Sequence, residues 1–205
     1  MMQNKIIKSS LVIVFSLLST NAFAGQSACD LPDWPELEKS DIVRMERLEI
    51  SRTKGLGAAM RSTNKSDRKL VAMMFENDFV PISDMYQVEG NYNCRTIKLG
   101  GLTDLTIYGW FKCQIRAEAK VLTINKTTGS QNFFGVMVQA GNGLSYSGAS
   151  NYGYEKIYKL YGQDETRNQV GCLSAIDKSM DRFVLELPEP KLESVHDIIM
   201  LERIK

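Results

Sequence analysis

Histidine is nearly missing from this chain. His196 is the single one in 205 residues, which leaves little material for a zinc site or an imidazole-based centre. No two of the four cysteines (Cys29, Cys94, Cys113, Cys172) stand close enough in sequence to form a metal-ligand pair. There is no G-x-G-x-x-G, no phosphate loop and no G-x-S-x-G elbow, and strands do not alternate with helices. These absences argue against a nucleotide-binding α/β fold and against a serine nucleophile elbow for His196 to serve. Charge excess is missing too. With 25 basic and 24 acidic residues, nothing electrostatic draws the chain to nucleic acid or to an anionic membrane.

One long apolar run is present, at the start. Lys5 and Lys8 precede 11-LVIVFSLLST-20, and Ala22-Phe23-Ala24 supplies a small-x-small cleavage pattern. Residues 1–24 are expected to be a signal peptide cleaved after Ala24, since the run is short of the ~20 residues a span needs. The remaining chain is then exported to the periplasm or beyond, with no membrane span. Four cysteines in an exported chain read as two disulfides.

The next part, 25–90, is expected to be helical. Ser40-Asp41 offers a cap for a helix over Ile42, Met45 and Leu48, broken near Gly55 and Gly57. Ser66-Asp67 starts a second, and 77–90 reads as a linker around Pro81. From Tyr92 the period becomes two. YNCRTIKL, TIYGWFKCQIRA, KVLTINK, NFFGVMVQ, LSYSG, EKIYKLY, QVGCLSAI, DRFVLEL and ESVHDIIMLERI follow as strands between glycine-rich or polar turns. The expected fold is α+β: an N-terminal helical segment packed on an antiparallel meander β-barrel or strongly bent sheet of about eight or nine strands, 91–205, in one compact domain. A hairpin centred near 103–104 would oppose Cys94 to Cys113 and leave Cys29 for Cys172.

Candidate sites are few. His196 lies in a strand with no nucleophile marked beside it, so a plain strand position is expected. Glu155, Glu186, Glu189 and Glu193 could serve as paired acids, although turns and strand ends carry solvated acids routinely. Tyr146, Tyr152, Tyr154, Tyr158 and Tyr161 form an aromatic run of the kind that lines barrel mouths. The stretch 124-INKTTGSQNFFG-135 must reverse the chain, and Gly129 suffices for that. Lys126, Thr127, Ser130 and Gln131 exceed what a turn needs. With Arg95, Tyr146 and Glu155 they form the candidate ligand-binding set.

The runs 92-YNCRTIKLG-100, 111-FKCQI-115, 126-KTTGSQNFFG-135, 168-NQVGCL-173 and 187-LPEPKLES-194 resemble, in order and spacing, a family of uncharacterised exported bacterial proteins catalogued as a domain of unknown function. In that family the glycine turn is usually followed by arginine, where this chain has Asn132. The resemblance implies a single exported β domain and carries no activity. A weaker architectural similarity, through Gly109-Trp110, is to calycin or lipocalin-like barrels. No catalytic residue, metal or cofactor is expected. The expected role is a non-catalytic binding module for a small apolar or amphipathic ligand or an envelope partner. The rivals are a carboxylate-based hydrolase of envelope carbohydrate or peptide, and an inhibitor-like interaction protein presenting Trp34 from 30-DLPDWPELE-38.

Overall fold

The structure, a computed structural model, describes residues 28–205. The expected signal peptide, 1–24, lies outside the described residues. Among the described residues three helices precede the sheet: α1 (Lys39–Glu46), α2 (Leu48–Ala59) and α3 (Lys65–Met74). The break between the first two falls at Arg47, not at the glycines. Gly55 keeps its place in α2 because the helix presses there on His196 and Leu99, and a Cβ would reach within 2.8 Å of the His196 Cβ. Ser40-Asp41 is not the cap of α1 either; Asp41 sits inside its first turn. Asn64 caps α3, accepting from the N–H groups of Ser66 and Asp67.

Nine antiparallel strands follow: β1 (Gly90–Leu99), β2 (Leu105–Ile107), β3 (Phe111–Glu118), β4 (Val121–Lys126), β5 (Gln131–Ala140), β6 (Gly143–Tyr152), β7 (Asn168–Ala175), β8 (Arg182–Pro188) and β9 (His196–Arg203). Each pairs with its neighbour from β3 to β9, and β1 joins both β3 and β9. The sheet closes into an eight-strand barrel, with β2 an extra strand on β1 beyond the end of β3. The segment 106–117, expected as one strand, is thus two, interrupted at Tyr108–Trp110. The expected strand 155–161 does not form; those residues belong to the loop between β6 and β7.

Alternate residues of each strand point inward. Tyr92, Cys94, Ile115, Ile124, Met137, Tyr146, Leu185 and Leu201 meet in the barrel core. Tyr146 lies across the cross-strand pair Gly135 and Gly148, where any Cβ would overlap its ring. The outward residues of β1, β8 and β9 are buried as well, because α2 and α3 cover Ile97, Leu99, Val184, Ile198 and Met200. Burial on both faces explains why β8 and β9 read as nearly continuous apolar runs.

One end of the barrel is shut. Within the expected linker 77–90, Val80 bridges to Ala175, Ile82 drops into the core, and a short 3₁₀ turn, Met85–Val88, adds Met85 and Val88 to it. Tyr92 Oη donates to the Val88 carbonyl at 2.6 Å and Ile82 N–H to the Asn142 carbonyl at 2.9 Å. Burial pushes the Tyr92 phenol up to about 12.

Both disulfides have the expected partners, Cys94–Cys113 and Cys29–Cys172. The hairpin register differs by two residues: Cys94 faces Phe111, and Cys113 faces Tyr92. The bridge is therefore diagonal, inside the core, with the Cα atoms 5.8 Å apart. Cys29–Cys172 fastens the leader before α1 to the outer face of β7 across a sequence separation of 143. Replacing both Cys29 and Cys172 by serine should lower stability by about 2–5 kcal/mol, as loop constraint on the unfolded chain is lost. Urea unfolding of the variant against the parent measures it; an unchanged midpoint would show that the leader contributes nothing to the fold.

Candidate functional site

The open end of the barrel holds a cavity of about 130 Å³. Its walls are the inward residues at the ends of the strands that converge there: Thr96 and Lys98 from β1, Lys126 from β4, Gln131 from β5, Ser150 from β6 and Asp197 from β9. Below them Phe133, Leu187 and Ile199 make an apolar floor, and the ring of Tyr146 fills the barrel beneath. The loop 190–193 forms one lip, and Tyr152 with Arg167 forms the other.

Charges around this mouth are mostly matched. Lys98 Nζ is 2.6 Å from Glu193, and Arg167 is 2.7 Å from Glu155 and 3.6 Å from Asp164. Burial works against the Lys98 ammonium, but its hydrogen bond to Glu193 and the nearby Asp197 charge outweigh it and hold it above the usual lysine value. Asp197 is buried and takes a 2.6 Å hydrogen bond from the Ser194 hydroxyl. Burial raises its carboxyl above the usual 3.8, against the Ser194 bond and the Lys98 charge. Glu193 holds a left-handed backbone, φ 72°, because its carbonyl closes on the 100–102 turn and accepts from Leu102 N–H at 3.0 Å.

The residues singled out in 124–135 divide here. Lys126 and Gln131 both line the mouth. Yet Lys126 Nζ turns back on its own hairpin, donating to the carbonyls of Thr128, at 2.9 Å, and Gln131. The Phe111 ring lies 3.9 Å away, and burial lowers its pKa. Asn132 adds a second staple when its amide is oriented to suit its neighbours, the nitrogen then donating to the Thr128 carbonyl at 3.0 Å. Thr127 bonds the Lys112 carbonyl on β3, away from the mouth. The Ser130 carbonyl accepts from Gly153 N–H at the rim, and Glu155, outside the mouth, bonds two residues of its lip, Arg167 and the Tyr152 N–H. Tyr146 is packed in the core. Arg95 points outward, its guanidinium 4.2 Å over the Trp110 ring. Tyr152 stacks on Tyr154, Tyr158 on Phe134, and Tyr161 hydrogen-bonds Asp41.

A second polar cluster has no counterpart among the sequence expectations. On the outer face of β8, Glu186 is completely buried beneath α2. It receives Arg52 Nε at 2.6 Å and Nη2 at 2.7 Å, and it meets His196 Nε2 at 3.2 Å. His196 Nδ1 lies 3.0 Å from Ser51 Oγ. Serine, histidine and carboxylate thus stand in line as in a hydrolase triad. All are sealed from solvent. Ser51 donates to the Val195 carbonyl at 2.8 Å and accepts from Glu189 N–H at 3.1 Å. No substrate can reach it, and its hydroxyl is already occupied, so the cluster is structural. Glu186, expected among the solvated acids, is the most buried of them, and His196 is part of a network rather than a plain strand position. Period two does mark both as facing away from the barrel core, beside Val184 and Ile198; what covers that face is not written in their own strands. Among the described residues no group of three or more His, Cys, Asp or Glu is placed to hold a metal ion, and no helix is long and apolar enough to cross a membrane.

The family described as a domain of unknown function (DUF4893) matches residues 36–201, and the chain belongs to it. No curated protein and no solved structure matches the chain.

The two buried acids should move stability in opposite directions. Burial raises the Glu186 carboxyl, but the His196 hydrogen bond and the Arg52 charge prevail and hold it below its ordinary 4.5. Its contribution is present above that value and lost as pH falls through the folded one. Glu186→Gln removes the buried counter-charge of Arg52 and should cost about 3–5 kcal/mol at neutral pH while flattening the acid limb. Asp197 has the raised value, so its ionisation erodes stability as pH climbs above 3.8. Asp197→Asn should therefore gain about 1 kcal/mol at neutral pH, or ~2–4 °C in Tm. Denaturant melts from about pH 3 to about pH 8, a span that begins below both ordinary carboxyl values, test both signs; a destabilised Asp197→Asn would mean that the ionised carboxylate is favoured where it stands.

Proposed function

We propose that the protein is a non-catalytic binding module that receives a small amphipathic ligand in the open mouth of its barrel. The observation that carries this reading is the asymmetry of the two ends. One is filled by Ile82, Met85 and Val88; the other keeps a cavity with an apolar floor and a polar wall. Small-ligand sites combine these two surfaces in a concave, pre-formed space. The rigid supply of the wall from the strands supports the reading, since strand-borne groups are held more firmly than loop-borne ones.

The site of action is the bacterial envelope, most simply the periplasm. Two disulfides and the N-terminal pattern of charge, apolar run and small-x-small residues support export. Asp197 and Glu193 both approach Lys98, and two neighbouring acids are what paired-acid hydrolysis requires. Here Lys98 stands between them as a counter-charge, and the pair is treated as part of the binding wall.

Amide chemical-shift mapping with a library of small amphipathic fragments tests the proposal. Shifts should cluster at Thr96, Lys98, Gln131, Ser150 and Asp197. Shifts confined to Trp34 and the leader would favour the interaction-protein reading instead, and an unmoved spectrum would remove the pocket as a site.

A further inference from the structure

Most charged groups of the mouth are spoken for, and several neutral ones are not. Lys98, Arg167 and Arg44 face carboxylates at 2.6–2.8 Å. Lys126 spends its protons on two carbonyls and an aromatic face. An incoming anion would have to displace one of these partners or rely on Lys191, which is exposed on the 190–193 lip. Against that, the hydroxyls of Thr96 and Ser150 and the side-chain amide of Gln131 bond no other group among the described residues. Gln169 uses only its oxygen, which accepts from Tyr146 Oη at 3.3 Å, and Asp197 uses one oxygen, toward Ser194. All five line the same cavity. The unspent capacity is therefore a mixed set of neutral donors and acceptors with one carboxylate acceptor.

We infer that the mouth takes a neutral, hydroxyl-rich ring, a saccharide unit, in preference to an anion or a fatty chain. The inference rests on the binding-module reading and names its ligand class. A sugar hydroxyl both donates and accepts, so it uses hydroxyl, amide and carboxylate neighbours together. Its C–H face needs apolar contact, which Phe133, Leu187 and Ile199 provide from the floor. The size agrees. Pockets that enclose drug-sized ligands run to ~300–1,000 Å³, and this one, at about 130 Å³, admits one ring or the end of a chain. Polar groups set to bond a ligand's hydroxyls also reject ligands without them, because the groups are then left unpaired.

The test is calorimetric titration of the full disulfide-bonded protein, paired with amide shift mapping. The probes are glucose, galactose and N-acetylglucosamine, a trimer of N-acetylglucosamine, glutamate, inorganic phosphate and decanoate. A saccharide should bind with shifts at Thr96, Gln131 and Ser150. Thr96→Val and Ser150→Ala should each weaken it about tenfold, with the far-ultraviolet spectrum and melting curve unchanged. Tighter binding of the trimer than of its monomer identifies a glycan chain end, rather than a free sugar, as the source. Decanoate binding at the mouth with every saccharide silent overturns the inference and leaves the pocket reading standing. Glutamate or phosphate binding there with saccharides silent likewise overturns it, in favour of an anion. Silence from every probe removes both readings.

Discussion

Glu186 carries a charge into a place with no water. A carboxylate cannot stay ionised there without several donors, and the outer face of β8 is arranged to supply them. Arg52 offers two N–H groups from α2, and His196 offers a ring edge from β9. Phe75 and Phe79 lie 5.5 and 5.4 Å from the guanidinium carbon and close the site from the end of α3 and the segment after it. Each partner comes from a different element, so satisfying one charge fixes α2, α3 and two strands at once. An apolar residue could fill the same space, but it would not set the rotation of α2, because apolar contacts are non-directional. The position of α1 follows, through Asp41 and Arg44; Arg44 reaches the Asn168 and Pro188 carbonyls at the ends of β7 and β8.

The barrel interior solves a different problem, that of volume. Two facing glycines on β5 and β6 make room for one tyrosine ring lying flat. That ring divides the interior. On one side of it the core is dry and capped by 80–88. On the other the strand ends carry lysine, threonine, serine, glutamine and aspartate in positions that the alternation points inward. The mouth exists because strands long enough to close the barrel extend past the level that the apolar core fills.

Much of this is legible in the residues. Eight of the nine strands expected from alternation form, and together they cover at least part of every observed strand; cross-strand reasoning pairs the cysteines correctly. The register behind that pairing is displaced by two, because Tyr108–Trp110 interrupts the hairpin and moves its centre. A diagonal bridge joins the same residues that an opposed one would, so the partners survive the error. The stretch 155–161 has the composition of a strand, but no edge is free to accept it once β6 and β7 have paired. Lys126 and Gln131 are marked by their excess over a turn's needs, and they do reach the mouth. Thr96, Ser150, Gln169 and Asp197 carry no such mark. Each is an ordinary polar residue in its own strand, and only closure of the sheet sets them around one space. The Arg52–Glu186 pair is hidden for the same reason, with 134 positions between its members.

Closure also sets an order of events. β1 is hydrogen-bonded to β9 along eight residue pairs, from Tyr92–Arg203 to Leu99–His196, and β9 is made after the other eight strands. Until it arrives, β1 has an open edge and Glu186 has no histidine. Local hairpins from β3 to β6 can assemble earlier, but the contacts that close the barrel and seal Glu186 to α2 join segments far apart in the chain. Contacts between segments this far apart form slowly, since loop-closure entropy is lost before the contacts repay it. Until then the polypeptide stays pliant, with one sheet edge open and one buried charge still short of a partner.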